Sequence, residues 1–263
     1  MLVFDRSLVR LYRERLYNKD SNFVFSEISD LLLDKLSLFS LTAGLMLNIG
    51  IRSNSFSEDL LLRKIVSSHD QIIQCDLSYY VLCNARGNCK VVADEEALPF
   101  CSDIFDIVVS NASLHNVNNL FNILLSIYNI MKRRGIFLAA LFGSKTLYEL
   151  KHSMIRAEMD FGIAPRVLPF ISVQDIVSLL QKTGYSDIVV DVNTIKVEYD
   201  DIYALFKDLR NMGEGNVLYN RNKYPLSRTV IRKIFESYKQ YFSIDKVNIP
   251  VTFEIITLKC SKL

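Results

Sequence analysis

The chain has 263 residues, of which 50% are hydrophobic and 23% charged, a balance that excludes a largely disordered protein and allows one large domain or two small ones. Its 31 basic and 29 acidic residues leave a net charge of +2, too little for the broad positive field that draws in nucleic acid. No apolar run approaches the roughly 18 residues of a membrane-spanning helix, so a soluble protein with neither nucleic-acid partner nor membrane span is expected.

The first segment, Phe4 to Tyr17, sets Leu8, Leu11 and Leu16 among Arg6, Arg10, Arg13 and Arg15. It reads as a short basic amphipathic helix whose arginines form a solvated face, with anion binding as the alternative. A second helix is expected from Ser26, a candidate cap, to Leu36. Strand-like apolar runs then alternate with helical stretches: Gly44 to Ile49, Gln71 to Cys75, Lys90 to Ala93, Phe105 to Ser110 and Gly135 to Phe142. The intervening crossovers fall at Phe56 to Val66, Tyr79 to Ala85 and Val117 to Lys132. Parallel neighbours cannot be joined by tight hairpins, and strands covered on both faces read as apolar throughout, so the pattern implies a doubly wound α/β sheet, mostly parallel. Further on, a helix is expected at Thr146 to Met159, and Ser172 and Asp175 begin a capping box for a helix that Gly184 ends. Strand signals return at Asp187 to Val192, Thr194 to Glu198 and Val251 to Leu258, with helices at Ile202 to Asn211 and near Arg228 to Tyr241 between the last two.

The five cysteines are odd in number and form no C-x-x-C pair, and the three histidines are scattered. Neither a disulfide framework nor a metal site is expected. Charged residues follow Phe4 closely, so no leader peptide is expected. The terminal Ser261-Lys262-Leu263 would read as a peroxisomal address in a eukaryotic cell.

Ligands of open parallel sheets lie beyond the carboxyl ends of the strands, near the point where winding reverses. The first strand leads into Asn48-Ile49-Gly50-Ile51-Arg52-Ser53-Asn54, and the second into Asp76-Leu77. An acid ending the second strand accepts hydrogen bonds from a ribose diol, which points to a nucleoside-containing cofactor. The third strand leads into ADEEALPF (Ala93 to Phe100), and the fourth reads FDIVVSNASLH from Phe105 to His115. Together these resemble class I S-adenosylmethionine-dependent methyltransferases of the type 11 group. VFDRSL at Val3 to Leu8, TLYEL at Thr146 to Leu150 and MGEGN at Met212 to Asn216 narrow the match. With them, the chain resembles the family of the mitochondrial complex I assembly arginine hydroxylase and its bacterial relatives. A more distant cousin is the malonyl-carrier-protein methyltransferase of biotin synthesis.

The resemblance implies a seven-stranded, Rossmann-like sheet in a single domain: an N-terminal helical cap (1–40), a cofactor-binding core (41–142), and substrate or lid helices with the last strands (143–263). It implies S-adenosylmethionine as cofactor and a protein substrate, with a complex I subunit as the partner, in a bacterial cytoplasm. Carried over, Asn48, Gly50 and Ile51 lie at the cofactor's amino-acid end, Asp76 and Leu77 at the ribose, Asp94 and Glu95 at the adenine, and Asn111 at the sulfonium. The first loop departs from the family's aspartate and G-x-G-x-G run, with Asn48 for the aspartate and Arg52 and Asn54 for two glycines. Asn116 and Lys145 depart from the family's tryptophan and aspartate. A long side chain at Arg52, where backbone should approach the ligand, and the loss of a partner for the cofactor's ammonium at Asn48 both weigh against tight binding.

His115 is the candidate base or substrate-orienting group, or else a packed structural histidine. Tyr148 and Glu149 could face the site, with Glu149 pairing with a substrate guanidinium or forming a surface ion pair with Lys145 or Lys151. Glu214 and Asn216 stand in a glycine turn that acts as a lid contacting substrate, or merely ends a helix. Three functions follow: a methyltransferase-family enzyme modifying a protein arginine in complex I assembly, an assembly protein whose cofactor loop has decayed, and a carrier-protein or small-molecule methyltransferase.

Overall fold

The computed structural model describes residues 2–16, 23–38, 44–52, 55–159, 162–243 and 248–263. Tyr17, Ser53 and Asn54 lie outside them, as does Leu41, where the core was expected to begin. Two helices come first, α1 (Arg6–Leu16) and α2 (Phe23–Ser37). The core follows as β1 (Met46–Ile49), α3 (Ser55–Leu62), β2 (Ile72–Asp76), α4 (Tyr79–Asn84), β3 (Lys90–Val92), β4 (Phe105–Asn111), α5 (Leu120–Ile130) and β5 (Met131–Phe142). The rest comprises α6 (Tyr148–Glu158), α7 (Val173–Thr183), β6 (Ser186–Tyr199), α8 (Ile202–Asn211), α9 (Arg228–Tyr241) and β7 (Ile249–Ser261).

The strands form one sheet in the order β3-β2-β1-β4-β5-β7-β6. The first five are parallel, while β7 runs antiparallel to both β5 and β6. Winding therefore reverses between β1 and β4, where Leu47 stands beside Val108 and Ile49 beside Ser110. The two-residue strand period divides the core. Leu138, Ala140 and Phe142 of β5 join the cluster under α2, α6, α8 and α9. Phe137, Ala139 and Leu141 join the cluster under α5 and α7. Both faces being covered explains why these strands read as unbroken apolar runs.

Local signals account for the element ends. Ser172 Oγ accepts from the Asp175 amide, and Gly184 closes α7 at φ +98°, a left-handed conformation that glycine adopts without strain. Ser26 is inside α2, which begins at Phe23, rather than capping it. The two strand signals after Gly184 merge into the single edge strand β6, whose exposure alternates because only one face is covered. Among the described residues no helix is long and apolar enough to cross a membrane.

Candidate functional site

At the reversal point β1 ends in Gly50, whose φ is +80° and where a Cβ would collide with the Cβ of Ser113. Only glycine meets both demands. The Gly50 amide donates to the Cys75 carbonyl at 2.9 Å, which draws the β1 loop against the end of β2. There Asp76, 1% exposed, accepts from the amides of Ile51 at 2.9 Å and Ser78 at 2.8 Å. These two bonds hold its carboxylate across the gap from Gly50. Asp94 and Glu95 follow β3, with side chains 28% and 1% exposed.

The three carboxylates are met by α1. The Arg13 guanidinium, 3% exposed, lies 2.6 Å from Glu95 and 3.5 Å from Asp76, and donates to the Ser113 carbonyl at 3.3 Å. Its approach to Glu95 is an ion contact without the alignment of a hydrogen bond. Arg6 grips Asp94 through two nitrogens, at 2.6 and 3.2 Å, contacts Glu95, and donates to the Asn116 carbonyl at 2.9 Å. Burial drives the Glu95 pKa up, but the charges of Arg13 and Arg6 outweigh it and hold the carboxyl below its usual range. Burial likewise lowers the Arg13 pKa, and Glu95 and Asp76 more than restore it. The start of the chain is pinned as well: the Asp5 amide donates to the Val217 carbonyl at 2.8 Å, the Tyr219 amide to that of Val3 at 2.8 Å, and Leu77 packs with Phe4, Val9 and Leu168. The expectation of a solvated arginine face is thus corrected for Arg6 and Arg13. It holds for Arg10, which is 62% exposed.

A second buried cluster adjoins the first. Arg52, 8% exposed, donates from Nε and Nη2 to the Ala112 carbonyl at 3.1 and 2.6 Å. Its Nη2 also meets Glu214 at 3.0 Å, and the guanidinium stacks over Phe25 at 4.7 Å. The other Glu214 oxygen receives His115 Nε2 at 2.9 Å and Asn116 Nδ2 at 3.4 Å. Burial raises the Glu214 pKa, yet the charges of His115 and Arg52 with those hydrogen bonds bring it down to about 2. An ionised carboxylate only accepts, so Nε2 carries the His115 proton. For Arg52, burial outweighs Glu214 and its pKa is lowered.

The other expected residues are placed as follows. Ile51 packs with Val81, Leu82 and Ala85 beside Asp76. Asn48 is 2% exposed, and its Oδ1 has no partner among the described residues. Asn111 turns its Nδ2 toward α2, donating to Ser29 Oγ at 3.0 Å. Glu149 is 2% exposed and accepts from the amide and hydroxyl of Thr252 on β7; it makes neither expected contact, with a site guanidinium or with surface lysines. Tyr148, 45% exposed, stacks edge-on against Phe242 at 5.7 Å. Asn216 donates to the Pro165 carbonyl at 3.0 Å and accepts from the Leu218 amide. Arg6 and Arg13 were missed as partners of the site; VFDRSL carried Arg6 into the family resemblance without showing what it grips.

A chamber of about 550 Å³ has Glu214 and Asn216 in its wall. Its interior is apolar, with Phe142, Leu150, Met154, Leu209 and Phe253 among the buried lining residues. None of Gly50, Asp76, Asp94 and Glu95 lines it.

Residues 47–139 match the family described as a methyltransferase domain. The zebrafish (Danio rerio) protein named mitochondrial arginine hydroxylase NDUFAF5 is 31% identical over 97% of this chain and 81% of its own length. The crystal structure of YcgJ from Bacillus subtilis superposes with a TM-score of 0.61 at 12% identity, covering 90% of this chain and 98% of that one. A phosphoethanolamine N-methyltransferase of Haemonchus contortus, solved with S-adenosylmethionine, gives 0.53 at 17% identity over 89% of this chain and 52% of its own. The two structures share the fold, and the sequence match over nearly the whole length makes this chain a member of the S-adenosylmethionine methyltransferase-fold family of the arginine hydroxylase NDUFAF5.

Proposed function

We propose that the protein binds S-adenosylmethionine in the cleft between Gly50, Asp76 and Asp94, and acts on an arginine of a partner protein in the assembly of respiratory complex I. The observation that carries the reading is the Asp76 carboxylate, held by two amides at the end of β2 beside the tight glycine turn at Gly50. That is the arrangement a ribose diol needs. Asp94 and Glu95 supply the acceptors at the adenine end. At the methionine end Ala112 offers a carbonyl for an ammonium group, whereas Asn48 brings no charge. Bound there, the cofactor supplies an electrophilic methyl group on a sulfonium.

The chain's own arginines stand in for these contacts: Arg13 at Asp76 and Glu95, Arg6 at Asp94, Arg52 at the Ala112 carbonyl. Cofactor entry therefore requires α1 to lift and Arg52 to exchange. Glu214 already binds one guanidinium, and with His115 fixing its second oxygen it is suited to bind a substrate's. The relatives' name, arginine hydroxylase, supports the choice of arginine as the target.

A second reading, an assembly protein that works without the cofactor, is favoured by the burial of Arg52 in the cleft. Equilibrium dialysis with labelled S-adenosylmethionine separates the two. Saturable binding by the native protein that Asp76→Ala abolishes supports the first. No binding until Arg52→Gly is introduced supports the second.

A further inference from the structure

The cations around the chamber divide into two groups. Arg166 is committed to Glu158 at 2.6 Å, and Arg221 to Asp5 at 3.3 Å. Arg15, Arg210 and Lys223 line the same chamber and are exposed, and among the described residues no carboxylate stands within ion-pair distance of any of them. Among the described residues that line it, Glu214 is the one carboxylate, its side chain 5% exposed. The chamber thus combines exposed positive charge at its mouth, apolar surface formed by Phe206, Leu209, Phe142 and Phe253, and one buried acid.

Resting on the reading of Glu214 as the arginine-binding group, we infer that the chamber selects the sequence around the target arginine: a segment whose arginine is flanked by large apolar residues and, beyond them, by aspartate or glutamate. The apolar neighbours fill the wall and exclude water from Glu214, where the guanidinium exchanges with that of Arg52. The flanking acids reach Arg15, Arg210 and Lys223 at the mouth. A uniformly basic segment would meet three exposed like charges against one acid among the described lining residues, so cationic surroundings for the arginine are disfavoured. Arg210 and Lys223 act on specificity alone, since they lie outside the Asp76 cluster and face solvent.

The test uses fluorescent peptides with a central arginine between leucines, flanked by aspartates in one series and lysines in the other, titrated into the full chain by anisotropy. The aspartate series is expected to bind roughly tenfold tighter, the effect of two or three solvent-screened pairs. The Arg210→Glu, Lys223→Glu double variant is expected to reverse the order. That reversal cannot arise from misfolding, which would weaken both series. Equal binding of the two series by the native protein, or a preference the double variant leaves intact, would overturn the inference. Replacing the central arginine by glutamine keeps the outcomes apart: if flanking acids matter and the arginine does not, the arginine reading fails while the selection at the mouth stands. If neither peptide series binds while dodecanoate does, the chamber holds a small apolar ligand and the inference falls.

Discussion

The substitution Arg13→Ala tests the link between α1 and the cleft. It removes a guanidinium that is 3% exposed and stands 2.6 Å from Glu95, itself 1% exposed, and 3.5 Å from Asp76. Taking one partner from a buried ion pair costs about 3–5 kcal/mol, because the other charge stays desolvated. Arg6 still contacts Glu95, and water can follow α1 outward, so the low end applies, about 3 kcal/mol. For a chain of this size each kcal/mol lowers the melting temperature by about 2–4 °C, which gives a drop of roughly 6–12 °C. Urea unfolding followed by circular dichroism should show a lower midpoint at unchanged slope. Arg10→Ala on the same helix is the control: its 3.3 Å contact with Glu14 lies at the surface and is worth about 0.3–0.5 kcal/mol. The same Arg13 variant should bind S-adenosylhomocysteine more tightly than the native protein, since one competitor for Asp76 is gone. Equal midpoints for the Arg13 and Arg10 variants would refute the reasoning.

Other expected outcomes concern single residues. Gly50→Ala forces a Cβ against Ser113 at positive φ, with a backbone cost of about 1–2 kcal/mol before the clash is counted, and dialysis should show the cofactor site lost. Glu214 has its pKa depressed to about 2, so its stabilisation is fully present above the ordinary carboxylate range and disappears as pH falls toward 2, a contribution of roughly 3 kcal/mol. In Glu214→Gln the acid limb of the stability curve between about pH 4.5 and 2 should flatten, and stability at neutral pH should drop because Arg52 is left buried and unpaired. Glu149→Ala strips the Thr252 amide of its acceptor and should destabilise by about 1–3 kcal/mol without changing cofactor affinity; lost affinity with intact folding would instead restore Glu149 to the site.

The sheet was legible because its central strands are buried on both faces, so Ile136 to Phe142 and Ile107 to Val109 stand out as unbroken apolar runs. Gly50 and Asp76 could be singled out as candidates because ligands of open parallel sheets lie beyond the carboxyl ends of the strands, here β1 and β2. The partners of those residues were not. Arg6 and Arg13 meet acids some eighty residues away in sequence, and a basic helix face bound to a buried acid looks the same in sequence as one bound to water. Glu149 failed for a related reason. Its nearest charged neighbours along the chain are Lys145 and Lys151, but β7, inserted antiparallel beside β5, brings Thr252 beneath it. Arg52 shows the limit from the other side: the sequence marked it as an intruder in the cofactor loop, while its seat between Ala112 and Glu214 depends on a turn more than a hundred residues later.

Amide hydrogen exchange with and without S-adenosylhomocysteine tests the central claim most directly, that the arginines of α1 occupy contacts the cofactor must take. Saturating ligand is expected to slow exchange in residues 76–82, behind Asp76, and to speed it in residues 6–16 as α1 is released. Protection of both segments together, or no change in either, would contradict the account.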